Sequence, residues 1–147
     1  NSGWHFVKYP IYSDEDAGKR EADYNEIRLA EIYYSLAECK FKANDVDGAA
    51  RLLNTVRKRN YPQDTWAEYL YKPEGAVTLT QDELYDEWGR EFLAEGRRRT
   101  DLIRWGLYCT EEWWDKKPDA DSHWDIFPIP RDMMGADHTL EQNPGYN

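Results

Sequence analysis

Glu87, Glu91 and Glu95 fall at four-residue steps in one stretch of this chain, so on a helix they would share a face. Paired carboxylates are the working groups of glycoside hydrolysis, where one must hold a raised pKa and act as an acid. Arg90, Arg98 and Arg99 lie within a turn of the row. Nearby guanidinium charge favours ionised carboxylates, so the row reads as structural ion pairs and the chain as no enzyme. His5, His123 and His138 stand apart, with no HExxH or ExxH spacing, which leaves no metal expected. Asp14 and Asp16 lack the glycine and closing glutamate of an EF-hand loop. No serine occupies a nucleophile elbow and no glycine-rich phosphate loop is present, so no cofactor is expected. Cys39 and Cys109 show no CxxC spacing and read as two unpaired, partly buried thiols behaving as small hydrophobes.

Composition narrows the class further. A formal net charge of −10 over 147 residues repels a phosphate backbone and excludes a nucleic-acid partner. No run approaches the ~20 apolar residues of a membrane-spanning helix. Seven Trp and eleven Tyr supply large rings that serve either a core or an adhesive surface. The chain begins at Asn1, without Met, signal core or lipobox cysteine nearby, and reads as a fragment of a longer protein.

The positioning elements follow from periodicity. Residues 1–24 read as an irregular lead-in. A first helix is expected from about Asn25 to Ala43. Leu29, Ile32, Tyr33 and Leu36 form one apolar stripe, and Ala30, Tyr34, Ala37 and Phe41 a second. Arg28, Glu31, Ser35, Glu38 and Lys42 form its polar strip. So wide an apolar face implies neighbours on two sides. After the turn Asn44-Asp45-Val46-Asp47-Gly48, with Asp45 or Asp47 as cap, a second helix is expected from about Gly48 to Arg59. Together 25–59 make an αα-hairpin of tetratricopeptide-like proportions. Residues 60–79 read as a loop. Thr80-Gln81-Asp82-Glu83, flanked by Leu79 and Leu84, has the form of a capping box with a hydrophobic staple. It opens a long helix over 80–106, bent at Gly96. Residues 107–147 read as a coil-rich tail, since Phe127-Pro128-Ile129-Pro130 cannot be helical and Asn143-Pro144-Gly145-Tyr146 forms a turn. The fold class is all-α with long irregular loops.

Three segments, in order, resemble the C-terminal region of the SusD/RagB family of nutrient-binding lipoproteins. They are Arg28-Leu29-Ala30-Glu31-Ile32-Tyr33-Tyr34-Ser35-Leu36-Ala37-Glu38, then Gly89-Arg90-Glu91-Phe92-Leu93-Ala94-Glu95-Gly96-Arg97-Arg98-Arg99-Thr100-Asp101-Leu102-Ile103-Arg104-Trp105-Gly106, and finally Phe127-Pro128-Ile129-Pro130 with Gln142-Asn143-Pro144-Gly145-Tyr146. Two departures stand out: Trp88 occupies a position usually held by Arg, and Ala136-Asp137-His138-Thr139-Leu140 replaces a usual N-P-N-L.

The resemblance implies a single segment over 1–147 of a longer protein. Its implied work is non-catalytic capture of an oligosaccharide or other nutrient beside a TonB-dependent SusC-like transporter at the outer membrane, with anchor and signal encoded upstream. Glu91, Glu95, Gly96, Arg98, Asp101, Arg104, Trp105, Pro128, Pro130, Asn143, Pro144, Gly145 and Tyr146 are then expected to hold the fold. Sugars offer apolar C–H faces to aromatic rings, so Trp66, Tyr69, Tyr71, Trp113, Trp114 and Trp124 are the candidate ligand contacts, although packing under a loop is the commoner use of such a ring. The rival reading is a helical protein-interaction scaffold.

Overall fold

The structure, a computed structural model, describes Lys8 and residues 25–146. The expected lead-in over 1–24, with Asp14 and Asp16, otherwise lies outside the described residues, as does His5. Among the described residues the fold is all-α, and β-type pairing is limited to isolated bridges of Tyr71 with Val77 and of Trp113 with Lys116. No helix among them is long and apolar enough to cross a membrane. The chain divides into two compact units, residues 1–91 and 92–147.

In the first unit, α1 (Leu29–Lys42) and α2 (Val46–Arg57) form the hairpin. Of the two possible caps, Asp45 is the one used: its carboxylate accepts the Gly48 N–H at 2.9 Å and pairs with Lys40 at 2.6 Å. Those two bonds, the Lys40 bond first, hold its pKa below the ordinary aspartate value. A Cβ on Gly48 would lie 2.2 Å from the present position of that carboxylate, so a larger residue there would require the Asp45 side chain to shift. Asn44 supplies the left-handed turn residue at φ 63°.

Of the two stripes on α1, Ala30, Tyr34 and Ala37 are buried, whereas Leu29, Ile32 and Leu36 are exposed. One apolar face is therefore packed and the other open to solvent. Glu38, expected on the polar strip, is buried and pairs with Lys42 at 2.8 Å. Past α2 the chain makes a 3-10 turn at Lys58–Asn60, another at Gln63–Thr65, and the single-turn helix α3 (Trp66–Tyr69), so the expected loop is partly helical. Asn54, fully buried, clamps the Tyr71 backbone: its amide donates to the Tyr71 carbonyl at 2.8 Å and accepts the Tyr71 N–H at 2.9 Å. That amide stands in for a strand neighbour.

Thr80 opens α4 (Gln81–Glu91), its hydroxyl accepting the Glu83 N–H at 3.1 Å. Leu79 and Leu84 are both buried, as a staple requires. Glu83 turns elsewhere, accepting from the Tyr71 hydroxyl at 2.8 Å and pairing with Arg90. Trp88 is buried edge-on against Tyr34, ring centroids 5.5 Å apart. An indole there adds apolar contact where an arginine would need a partner.

The helix expected over 80–106 is two helices. α4 ends at Glu91 and α5 (Arg98–Arg104) begins seven residues later. Between them Ala94 and Gly96 both take positive φ, 61° and 75°, which no right-handed helix tolerates. The rest of the second unit is irregular apart from a 3-10 turn at His123–Asp125 and α6 (Arg131–Ala136). Its order comes from side chains bonding main chain. Gln142 brackets Ile129, accepting its N–H at 2.7 Å and donating to its carbonyl at 2.8 Å. Asn143 donates to the Phe127 carbonyl at 2.8 Å and the Tyr146 hydroxyl to the Ile126 carbonyl at 2.7 Å. Gly145 sits at φ 89°, where a Cβ would lie 2.5 Å from His123.

Candidate binding surface

Glu87 and Glu91 of the carboxylate row form a brace, whereas Glu95 falls past the end of α4 and so off the expected common face. Buried Glu87 pairs with Arg57 of α2 and with Arg90, and accepts the Tyr34 hydroxyl at 2.9 Å. Buried Glu91 pairs with Arg28 at 2.5 Å and with Arg59. Arg28 also donates to the Glu91 carbonyl at 2.8 Å, and Lys8 to the same oxygen at 3.1 Å. Burial first, then the Glu87 charge, raises the Tyr34 and Tyr71 phenols well above their ordinary values. Burial works against the Arg90 charge, but Glu87 leads a set of neighbours that outweighs it and raises that pKa. Both carboxylates are thus taken up by ion pairs and hydrogen bonds within the first unit.

Of the arginines that local spacing suggested, Arg90 pairs with Glu87 at 2.9 Å, and the other two lie against aromatic rings. Arg98 lies over Trp105 at 5.8 Å, and Arg99 over Phe127 at 3.9 Å and Tyr108 at 5.0 Å. Asp101 is buried between Arg97 at 2.9 Å and Arg104 at 3.0 Å. The Arg104–Asp101 pair follows helical spacing, whereas Arg97 had not been singled out.

Both cysteines are free, Cys39 exposed and Cys109 buried. Burial, and then the Asp125 carboxylate that accepts from its thiol at 3.3 Å, pushes the Cys109 pKa up, the opposite of an activated nucleophile. His123 bonds Asp121 at 2.5 Å, and His138 is exposed. Among the described residues no group of three His, Cys, Asp or Glu side chains is placed to hold a metal ion.

The six aromatic candidates separate into four settings. Trp66 and Tyr69 lie on α3 with Tyr61, which stacks on Tyr69 at 4.9 Å and 12° and whose carbonyl accepts the Trp66 indole N–H at 3.0 Å. Lys58 reaches over Trp66 at 5.2 Å. Tyr61 completes this cluster because the 3-10 turns fold the chain back, a reversal with no marker in the local residue pattern. Tyr71 is inside the core, 0% exposed, its hydroxyl within 3.3 Å of both Arg57 and Arg90.

Trp113 and Lys116 exchange both backbone hydrogen bonds, at 2.9 and 3.1 Å, around a two-residue tip. The Lys116 ammonium covers Trp113 at 5.3 Å, while Trp114 at the tip is 99% exposed. Trp124, half-exposed, joins His123 at 4.4 Å and Tyr146 at 5.7 Å. Arg99 donates to the Trp124 carbonyl at 2.6 Å. Exposed rings held on tied backbone lose little freedom when a flat apolar face stacks on them.

The chain that folds in this way matches, in sequence, the model of the SusD family over residues 1–146. The chain belongs to the SusD family. It is 34% identical to the starch-binding protein SusD of Bacteroides thetaiotaomicron, over 98% of this chain and 26% of that protein. It is also 36% identical to the SusD-like protein P25 of Formosa agariphila, over 54% of this chain and 15% of that protein. The chain thus spans about a quarter or less of the curated relatives it matches.

Proposed function

We propose that this chain belongs to a non-catalytic nutrient-binding protein of the bacterial cell surface. Its ligand is a glycan, which it hands to a TonB-dependent transporter in the outer membrane. Family membership and the similarity to a starch-binding protein support the ligand class. Within the chain, Trp114 carries the reading: an indole 99% exposed at the tip of a hydrogen-bonded turn contributes nothing to a core and offers a free face to a pyranose ring. Trp66, Tyr69, Trp113 and Trp124 are secondary contacts, and Tyr71 is assigned to the core. The main-chain ties made by Asn143 and Tyr146, with the Arg braces on Glu91 and Asp101, keep the motif residues in structural roles.

The test is a titration of the full-length protein with a panel of soluble glycans, read by tryptophan fluorescence and calorimetry and repeated with Trp114→Ala. One ring contact of about 0.5–1.5 kcal/mol corresponds to a roughly 2- to 10-fold weaker Kd. Unchanged affinity removes Trp114 from the contact surface. Failure of every glycan to bind favours the second reading, a helical interaction scaffold, for which the exposed stripe of Leu29, Ile32 and Leu36 on α1 is the specific support.

A further inference from the structure

Beside the Asn44 turn, α1 and α4 enclose a cavity of about 240 Å³ within the first unit. Its walls include the rings of Phe41 and Tyr85, the flat apolar faces that suit the C–H side of a sugar. Its polar lining is two primary amides, Asn44 and Gln81, with the pair Glu38 and Lys42. Gln81 donates to the Tyr85 hydroxyl at 2.7 Å, so one amide is already aligned along the ring edge. Carboxamides both donate and accept, which is what vicinal hydroxyls require.

Size and charge narrow the occupant. Pockets for drug-sized ligands run from about 300 Å³ upward, so this half-open recess has room for a single ring, and any further units of a chain would lie outside it. Glu38 is 4% exposed and its charge is met by Lys42 at 2.8 Å. A uronate would face the buried Glu38 carboxylate, where repulsion is poorly screened, whereas the Lys42 side chain is exposed and its charge is screened. A neutral ring avoids the Glu38 penalty.

We propose that this cavity is a subsite for one neutral pyranose unit, with Tyr85 and Phe41 as its walls and Asn44 and Gln81 as its hydroxyl-reading groups. The proposal rests on the glycan-binding reading above, and its test separates the two. Methyl pyranosides of neutral sugars, with methyl glucuronide as the charged comparison, are added to the full-length protein and followed by saturation-transfer NMR. The variant is Asn44→Gly with Gln81→Ala, in which glycine keeps the positive φ of 63° at position 44 and position 81 is exposed, so the hairpin folds as before.

The expected result is saturation transfer to at least one neutral pyranoside, at least tenfold weaker binding in the double variant, and weaker binding of the glucuronide. A monosaccharide signal unchanged in the double variant overturns the subsite. So does binding of oligosaccharides with no response to any single ring, and in both cases glycan capture by the rest of the surface stands. Absence of binding at every glycan length overturns the functional reading and this subsite together.

Discussion

The two units of this chain solve the problem of an ordered backbone in different ways. The first buries Ala30, Tyr34, Ala37, Ala49, Ala50, Leu53, Leu70, Tyr71, Leu84 and Trp88, and threads the Glu87 and Glu91 pairs through that apolar mass. In the second, the buried apolar side chains among the described residues are Phe92, Leu102 and Cys109, while Leu93, Trp114, Trp124, Ile126, Phe127 and Met133 are exposed. With so little apolar area removed from water, hydrophobic burial supplies a small share of its order. Single side chains bonding single main-chain groups supply the rest. A core fails cooperatively, whereas separate ties fail one at a time.

The largest effect expected from that contrast is at Arg57. Its guanidinium pairs with Glu87, donates to the Tyr69 carbonyl at 2.8 Å and lies 4.7 Å over the Tyr71 ring. Arg57→Ala strands a buried carboxylate with the half-exposed Arg90 as its remaining cation, and breaking a buried pair costs about 3–5 kcal/mol. Urea unfolding of the full-length protein, with hydrogen exchange resolving α1 and α2, should place the loss in the whole first unit at once. A loss under about 1 kcal/mol would mean the ion pairs are peripheral to its stability.

A matched pair of amides sharpens the comparison. Asn54 and Gln142 each bracket one residue's N–H and carbonyl, Tyr71 and Ile129 respectively. Asn54 is 0% exposed, whereas Gln142 is intermediate. Gln142→Ala removes the partner of both Ile129 groups where water can reach them, so its loss resembles a net hydrogen-bond contribution of about 1 kcal/mol. Asn54→Ala orphans the Tyr71 N–H in a dry interior at about 1–3 kcal/mol, while the Tyr71 carbonyl keeps the Glu74 and Gly75 N–H groups at 3.1 and 3.2 Å. Equal losses at the two sites would show that the tail is as dry as the core.

What local physics writes was legible. The Asp45 cap, the Thr80 cap with its leucine staple and the hairpin itself depend on neighbours within four residues. So do the Arg90 pair with Glu87 and the Lys42 pair with Glu38. The other cations on the buried glutamates do not: Arg28 and Arg59 are 63 and 32 residues from Glu91, and Arg57 is 30 from Glu87, distances at which helical spacing gives no signal. The candidate surface was legible as a set of residue types but not as a division of labour. Tyr69 and Tyr71 are two positions apart, yet one is exposed and one is sealed in the core, because α3 ends between them and Asn54 draws in the backbone of Tyr71. Trp114 carries no sign of its exposure either. Its turn is closed by backbone bonds between Trp113 and Lys116 that any residues could make.

The break between α4 and α5 was the least legible feature, and it yields the smallest effect. Gly96 marks a bend, but Ala94 is an ordinary helix former and nothing in its chemistry announces a φ of 61°. An alanine in that region carries about 1–2 kcal/mol of Cβ strain, which Ala94→Gly relieves. Glycine also gives the unfolded chain more freedom, worth about 0.4–1 kcal/mol in the opposite direction. The difference leaves the variant about 0–1.6 kcal/mol more stable, read as a small rise in the urea midpoint at unchanged m-value. Destabilisation by more than about 1 kcal/mol would mean that residues 92–97 continue the helix, and α4 and α5 would then be one rod carrying the Glu91 and Asp101 braces together.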